Sequence, residues 1–169
     1  CSYMARHDER VDCAGSDDYD TLLFGSPVTL RRLTGSGDVE IMKLQETLDR
    51  NNITWEQLVD VGILSGTDFN EGLMGVGPKT ALKEIIKYGD IWEVLNARSE
   101  SIEYVDRIRE IFLQPAVTDK YELDASINPD IEGARNYIVK EWGIPKEKVD
   151  RGLNQIGELT KQTGLNRWF

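Results

Sequence analysis

An α/β chain, β-prone before Thr54 and helical after it, is the fold class this sequence predicts. Three observations carry that expectation. Short runs rich in β-branched and aliphatic residues are confined to the first third. A capping box opens an amphipathic stretch at Thr54, with Gln57 three residues on. Pro78 and Gly89 then bracket a second helix in the order helices prefer, proline inside the start and glycine past the end.

In chain order, residues 1–9 fit the end of a helix, and Val11-Asp12-Cys13-Ala14-Gly15 a short buried strand with Cys13 as a core thiol. An acidic cluster, Ser16-Asp17-Asp18-Tyr19-Asp20, follows at the strand end. Thr21–Phe24 and Val28–Leu33 fit strands around Gly25-Ser26-Pro27, Gly35–Asp38 a turn, and Val39–Leu44 a further strand. Trp55, Leu58, Val59 and Ile63 make the apolar face of the Thr54 helix. A glycine-rich loop runs from Gly66 to Gly77. Asp90 with Glu93 opens another helix, and Ile102, Val105, Ile108 and Phe112 mark one stopped by Pro115. Two more are expected over ~130–142 and ~146–161.

Hydrophobic residues make up 40% of the 169, enough for a core, and no apolar run reaches the length of a membrane span. Residues 1–13 carry charges and lack the apolar stretch of a secretory signal. The opening residue is Cys1, and residues 1–10 read as mid-helix without a cap, so the natural chain is expected to extend upstream. Cys1 and Cys13 form no metal-ligand pattern and no disulfide framework, which favours a reducing, intracellular compartment. The net charge of −10 excludes a basic nucleic-acid coat protein. It leaves room for an enzyme with a local basic track and carboxylates at a metal site.

Asp18 and Asp20 stand two apart, which in extended backbone puts both carboxylates on one face. Side by side they repel unless a hard cation such as Mg²⁺ neutralises them. The competing reading is a solvated acidic turn. Asp17 points the other way and is left out of the site.

Gly75-Val76-Gly77-Pro78-Lys79-Thr80-Ala81 resembles a helix–hairpin–helix, in which outward-facing amides at the second helix's start bind phosphate without reading bases. A Walker loop fails because Pro78 separates Gly77 from Lys79, and a dinucleotide fingerprint fails because no strand precedes the glycines. Lys79, Lys83 and Lys87 recur every four residues as one basic stripe. Such repulsion costs a helix stability, and DNA phosphates would reverse the cost; an ordinary solvated face is the alternative. Asp68 lies at the mouth of the same loop; alone it reads as a loop cap, and any further value depends on what it faces in three dimensions. At the end of the chain, Gln162, Leu165, Trp168 and Phe169 have the spacing of a sliding-clamp-binding peptide, its aromatics either anchors for a partner's pocket or folded back on this chain.

Taken together, the run SDDYDTLLFGSPVTLRRLT from Ser16 to Thr34, the run GILSGTDFNEG from Gly62 to Gly72 and the hairpin GVGPKTAL from Gly75 to Leu82 resemble the flap endonucleases of the XPG family, in order and spacing. The clamp motif favours flap endonucleases over other members of that family, and a chain stopping there is archaeal-like. The resemblance implies a fold: a PIN-like α/β nuclease core over 1–53, a helix–hairpin–helix DNA-binding region over 54–96, helices of the same domain over 97–161 and a clamp-binding tail over 162–169. It implies removal of 5′ flaps, or 5′-3′ exonuclease action, in DNA replication and repair.

It further implies two Mg²⁺ per intact site, with Mn²⁺ as a substitute, and Asp18, Asp20 and Asp68 as ligands and catalytic residues. Gly75, Gly77, Lys79, Thr80, Lys83 and Lys87 would grip duplex backbone. K⁺ is a further candidate at the hairpin, although the serine that relatives offer there falls near Gly72. The partners implied are DNA with a 5′ flap, the sliding clamp PCNA through Gln162, Leu165, Trp168 and Phe169, and the N-terminal part of the nuclease, with no membrane. The compartment implied is cytoplasmic for an archaeal chain and nuclear for a eukaryotic one. The family's remaining acidic ligands, catalytic lysine and arginine, and flap-threading arch lie upstream of the segment matched here. The 169 residues alone are therefore expected to be inactive. A non-catalytic DNA- and clamp-binding module, or one half of a split nuclease, is the alternative.

Overall fold

The computed structural model describes residues 1–34, 38–123 and 130–161, with only backbone described over 155–161. The chain divides into two compact units, Cys1–Thr118 and Asp119–Phe169. The first holds α1 (Ser2–His7), β1 (Ala14–Gly15), α2 (Asp20–Leu23), β2 (Val28–Arg31), β3 (Glu40–Lys43), α3 (Leu44–Asn51), α4 (Trp55–Ser65), α5 (Pro78–Tyr88), α6 (Ile91–Arg98) and α7 (Val105–Leu113). The second holds α8 (Ile131–Trp142) and α9 (Lys146–Lys161).

The sheet runs β1-β2-β3, parallel between β1 and β2 and antiparallel between β2 and β3. Ala14 pairs with Thr29 and Arg31 with Glu40. Thr29, fully buried in the central strand, satisfies its hydroxyl by donating to the Thr21 hydroxyl at 3.0 Å, which fastens the sheet to α2.

The core of the first unit is helical. Val59, Ile63 and Leu64 of α4 pack with Ala81 and Ile85 of α5, Ile91 and Val94 of α6, and Ile108 and Phe112 of α7, all but Ile108 with no exposed surface beyond a trace. The Thr54–Gln57 capping box forms as the sequence predicts: Gln57 N donates to Thr54 Oγ1, and Thr54 N donates to Gln57 Oε1. The α5 bounds at Pro78 and Gly89 are also those read from sequence, and Asp90 caps α6 by accepting from Glu93 N.

Four expectations need correction. Thr21–Phe24 is not a strand: Asp20–Leu23 is one helical turn, closed by Phe24. A helix turn buries Thr21, Leu22 and Leu23 in succession, whereas a strand would bury alternate residues. The Trp55 indole of α4 fixes that turn by donating to Leu23 O at 2.9 Å. The strand expected over Val11–Gly15 shrinks to Ala14–Gly15, and Cys13 is half-buried rather than a core thiol. Helix α3 was not expected; Leu44 and Leu48 alone mark its apolar side, too sparse a pattern to distinguish from a loop. Ile102 packs against the core ahead of α7 instead of within it. The turn expected at Gly35–Gly37 and the tail residues Gln162, Leu165, Trp168 and Phe169 lie outside the described residues.

One buried charge pair ties the helices together. Asp60 of α4, 1% exposed, pairs with Arg109 of α7 and also accepts weakly from Ile91 N, at 3.4 Å, at the start of α6. The Arg109 guanidinium lies 4.5 Å over the Trp92 ring. Breaking such a pair strands a charge in the core. Arg109→Leu is expected to lower the folding free energy by about 3 kcal/mol in urea titrations, and adding Asp60→Asn should return part of it. A single variant as stable as the parent would show that the pair does not hold α7 to α4.

Candidate metal centre and nucleic-acid interface

The sheet delivers the first two carboxylates. After β1, Ser16 N donates to Leu30 O, keeping the chain on the edge of β2. Asp18 N donates to Ser16 Oγ and Asp20 N to Asp18 Oδ1, each at 3.1 Å. The Thr21 hydroxyl closes the turn on Asp18 O. The two carboxylates therefore approach through a tight turn into α2. They do not lie on one face of an extended segment, which corrects the route read from sequence.

Asp17 does point elsewhere, as read. Its carboxylate accepts Arg32 N at 2.7 Å, and its carbonyl accepts the Arg31 Nε–H at 3.1 Å. The Arg31 guanidinium also bonds Glu40 and lies 4.0 Å over the Tyr19 ring. Arg31 and Arg32 thus brace the acidic turn from behind, a role no local pattern announced.

Asp68 comes from the loop after α4. Thr67 and Asn70 exchange backbone bonds of 2.9 and 3.2 Å, and their side chains bond at 2.8 Å, so Asp68 sits on a closed tip. Asn70 Nδ2 donates to Ile63 O, and Leu73 N to Leu64 O, which ties the tip to α4. Gly72 allows this closure: a Cβ there would stand 2.4 Å from Gly66 N.

The structure brings Asp18, Asp20 and Asp68 together, one carboxylate oxygen of each lying within 4.8 Å of the others. Burial, and then the charges of Asp18 and Asp68, hold the Asp20 carboxyl above its ordinary value of 3.8. An all-carboxylate donor set suits a hard, oxygen-seeking divalent cation, and a cation would relieve the repulsion that raises Asp20. On both counts the residues fit a metal ion.

The same loop continues into the hairpin. Val76, 5% exposed, plugs its turn into the core, while Gly75 and Gly77 face outward. Gly77 has φ −89° and ψ 175°, a conformation any residue adopts, and a Cβ there would meet nothing within 4 Å. The fold itself does not require glycine at Gly77; its bareness leaves the start of α5 open to an outside group. Thr80 N and Ala81 N both donate to Gly77 O. Pro78 has no N–H, and Lys79 N has no acceptor among the described residues. Thr80, Lys79, Lys83 and Lys87 are all exposed. Lys87 bonds Tyr88 Oη at 2.8 Å, whereas Lys79 and Lys83 have no partner among the described residues.

A family model described as the XPG I-region matches residues 1–68. Flap endonuclease 1 of Haloquadratum walsbyi is 54% identical over 94% of this chain and 49% of its own length, and that of Haloarcula marismortui is 52% identical over 99% and 51%. The chain spans about half the length of the curated relatives it matches. The flap endonuclease-1 structure from Methanococcus jannaschii superposes with a TM-score of 0.81 at 34% identity, covering 96% of this chain and 50% of that one. The catalytic core of Rad2 in complex with DNA substrate shares the fold, with a TM-score of 0.76 at 20% identity over 92% and 60% of the two chains.

The raised Asp20 carboxyl has a definite sign. The folded chain holds this proton more tightly than the unfolded chain, so Asp20 weighs against folding as the pH rises through its folded-state pKa. Below its ordinary value of 3.8 the effect vanishes. In chelator, Asp20→Asn is expected to raise Tm at about pH 7 by a fraction of a kcal/mol in stability, the gain fading as the solution is acidified. Calorimetric melts across pH check this; a variant melting below its parent at neutral pH contradicts it.

Proposed function

We propose, from the premise that this chain belongs to the XPG family as an archaeal-like flap endonuclease, that it supplies the metal-binding and duplex-gripping C-terminal part of a 5′ flap endonuclease acting in DNA replication and repair. The observation that carries the proposal is the meeting of Asp18, Asp20 and Asp68, with Asp68 and the bare hairpin on one loop. Carboxylates from distant segments, held against their own repulsion, with open backbone amides farther along the Asp68 loop, serve phosphodiester chemistry better than they serve folding.

Asp18, Asp20 and Asp68 would hold Mg²⁺, or Mn²⁺ in its place. When bound, such an ion supplies Lewis acidity to a phosphoryl oxygen and lowers the pKa of an attacking water. The chain's own residues do the rest. Gly75, Gly77 and Lys79 offer amides to a phosphate, and Lys79, Lys83 and Lys87 line up positive charge along the duplex backbone. This contact is blind to sequence, which suits an enzyme that recognises DNA shape. Three carboxylates hold one ion, weakly. The second ion of the family's site, and the flap itself, are assigned to the half of the relatives that this sequence does not span. Gly72 brings no side-chain oxygen for a K⁺ at the hairpin, so any such ion would rest on backbone carbonyls. Gln162, Leu165, Trp168 and Phe169 would dock on the sliding clamp, with the aromatic pair as the anchor. The compartment assigned is the one that holds the chromosome.

In a chain extended to the length of its relatives, Asp18→Ala is expected to lower cleavage of a 5′-flap duplex in Mg²⁺ by at least about 100-fold, with duplex binding retained. Undiminished cleavage would remove Asp18 from the centre. Lys83→Ala is expected to weaken binding alike for all sequences and to cut the salt dependence of log K by roughly one. An unchanged slope would move the duplex to another face.

A further inference from the structure

The candidate centre is assembled from two pieces of chain, and among the described residues no polar contact joins them directly; each is bonded to α4, the first through the Trp55 indole on Leu23 O and the second through Asn70 Nδ2 on Ile63 O. Asp18 and Asp20 belong to the β1–α2 turn, Asp68 to the loop after α4. Among the described residues, no hydrogen bond or ion pair crosses from residues 66–73 to residues 16–25. Both pieces are bonded to α4, but where their tips meet, at Asp20 and Asp68, their mutual placement rests on packing.

That packing has an identifiable keystone. Phe24 closes α2 four residues after Asp20, and Phe69 directly follows Asp68. Both rings meet Phe112 of α7. The Phe24 and Phe112 centroids stand 4.8 Å apart at 53°, and the Phe69 and Phe112 centroids 5.4 Å apart at 75°, edge to face. Phe112 is fully buried, whereas Phe69 is 46% exposed and packs against Phe112 in an edge-to-face pair. Aromatic pairs at these separations favour tilted and edge-on geometries, so a central ring fixes the orientation of both neighbours as well as their spacing. A smaller side chain would remove the ring against which Phe69 packs and let the Asp68 tip shift about its ties to α4, without disturbing the hydrogen bonds inside the tip.

We propose that Phe112 is a positioning residue for the cation centre: its ring registers the Asp68 loop against α2, so that carboxylates from two segments converge. Phe112 touches no ligand atom and acts through Phe24 and Phe69. The proposal rests on reading Asp18, Asp20 and Asp68 as a cation site, and its test separates the two ideas.

The test is Mn²⁺ binding to this chain, followed by the EPR signal of the free ion, at a temperature where circular dichroism shows each variant folded. Asp68→Asn reports on the site itself and is expected to weaken binding at least about 10-fold. Phe112→Leu and Phe69→Leu, which remove no ligand, are each expected to weaken it roughly 10-fold, as changes around a metal's ligands commonly do. Ile85→Val, equally buried in the same core on α5, serves as the packing control and should leave binding unchanged while lowering Tm. If Phe112→Leu does not fold, Phe69→Leu carries the test, since its half-exposed ring contributes less to the core. Normal Mn²⁺ affinity in the phenylalanine variants, beside a loss in Asp68→Asn, overturns the positioning role and leaves the cation site standing. An equal loss in Ile85→Val overturns it too, by showing a general effect of stability. Should Asp18→Asn, Asp20→Asn and Asp68→Asn all bind Mn²⁺ as the parent does, or the parent show no saturable binding, the cation reading itself fails.

Discussion

Three carboxylates held with oxygens within 4.8 Å of one another repel, and a polypeptide keeps them there only if the backbone behind each is fixed. Much of the first unit's polar bonding does this. The Asp18–Asp20 turn is closed by its own side chains and by Thr21, which is anchored in turn through Thr29 to the middle of the sheet. Arg31 and Arg32 take up both the carbonyl and the carboxylate of Asp17, so the acidic segment cannot relax by rotating away from the site. Asp68 is held by a loop folded on itself and stitched to α4. Burial first, and then this enforced proximity, keep the Asp20 carboxyl above its ordinary value, and the proximity makes a cation the natural complement of the site.

The local arrangement of charge reconciles a net charge of −10 with the nucleic-acid surface proposed above. Binding to a phosphate backbone depends on local potential, not on the total. The chain concentrates cations on the outward face of α5, behind a turn that presents amides without side chains. Some acidic groups elsewhere are taken up in ion pairs, such as Glu84 with Arg98 and Asp60 with Arg109. Because Asp68 and the hairpin share one loop, a duplex gripped at Gly75–Lys79 as proposed would be covalently indexed to the carboxylates.

Helix ends, the hairpin and the acidic pair were legible because each is written in neighbouring residues. A capping box, a proline-to-glycine bracket and an x-glycine turn all concern atoms a few bonds apart. Thr21–Phe24 was misread for the converse reason. Its composition favours a strand, and only the Trp55 indole and the need to bury three successive residues make it a helix turn. Helix α3 carries too few apolar positions to announce itself, and Arg31, Arg32 and Phe112 lie in segments whose composition looks unremarkable.

The sequence by itself determined the chemistry on offer: paired aspartates, a glycine hairpin with a lysine stripe, and the family likeness these motifs carry. Tertiary structure alone decided that Asp68 joins Asp18 and Asp20, that Arg31 and Arg32 take up Asp17, and that Gly77 opens outward. The physical reason is range. Local motifs are fixed by hydrogen bonds across a few residues, whereas the meeting of distant carboxylates depends on how α2, α4 and α7 pack around shared rings, which no local spacing encodes.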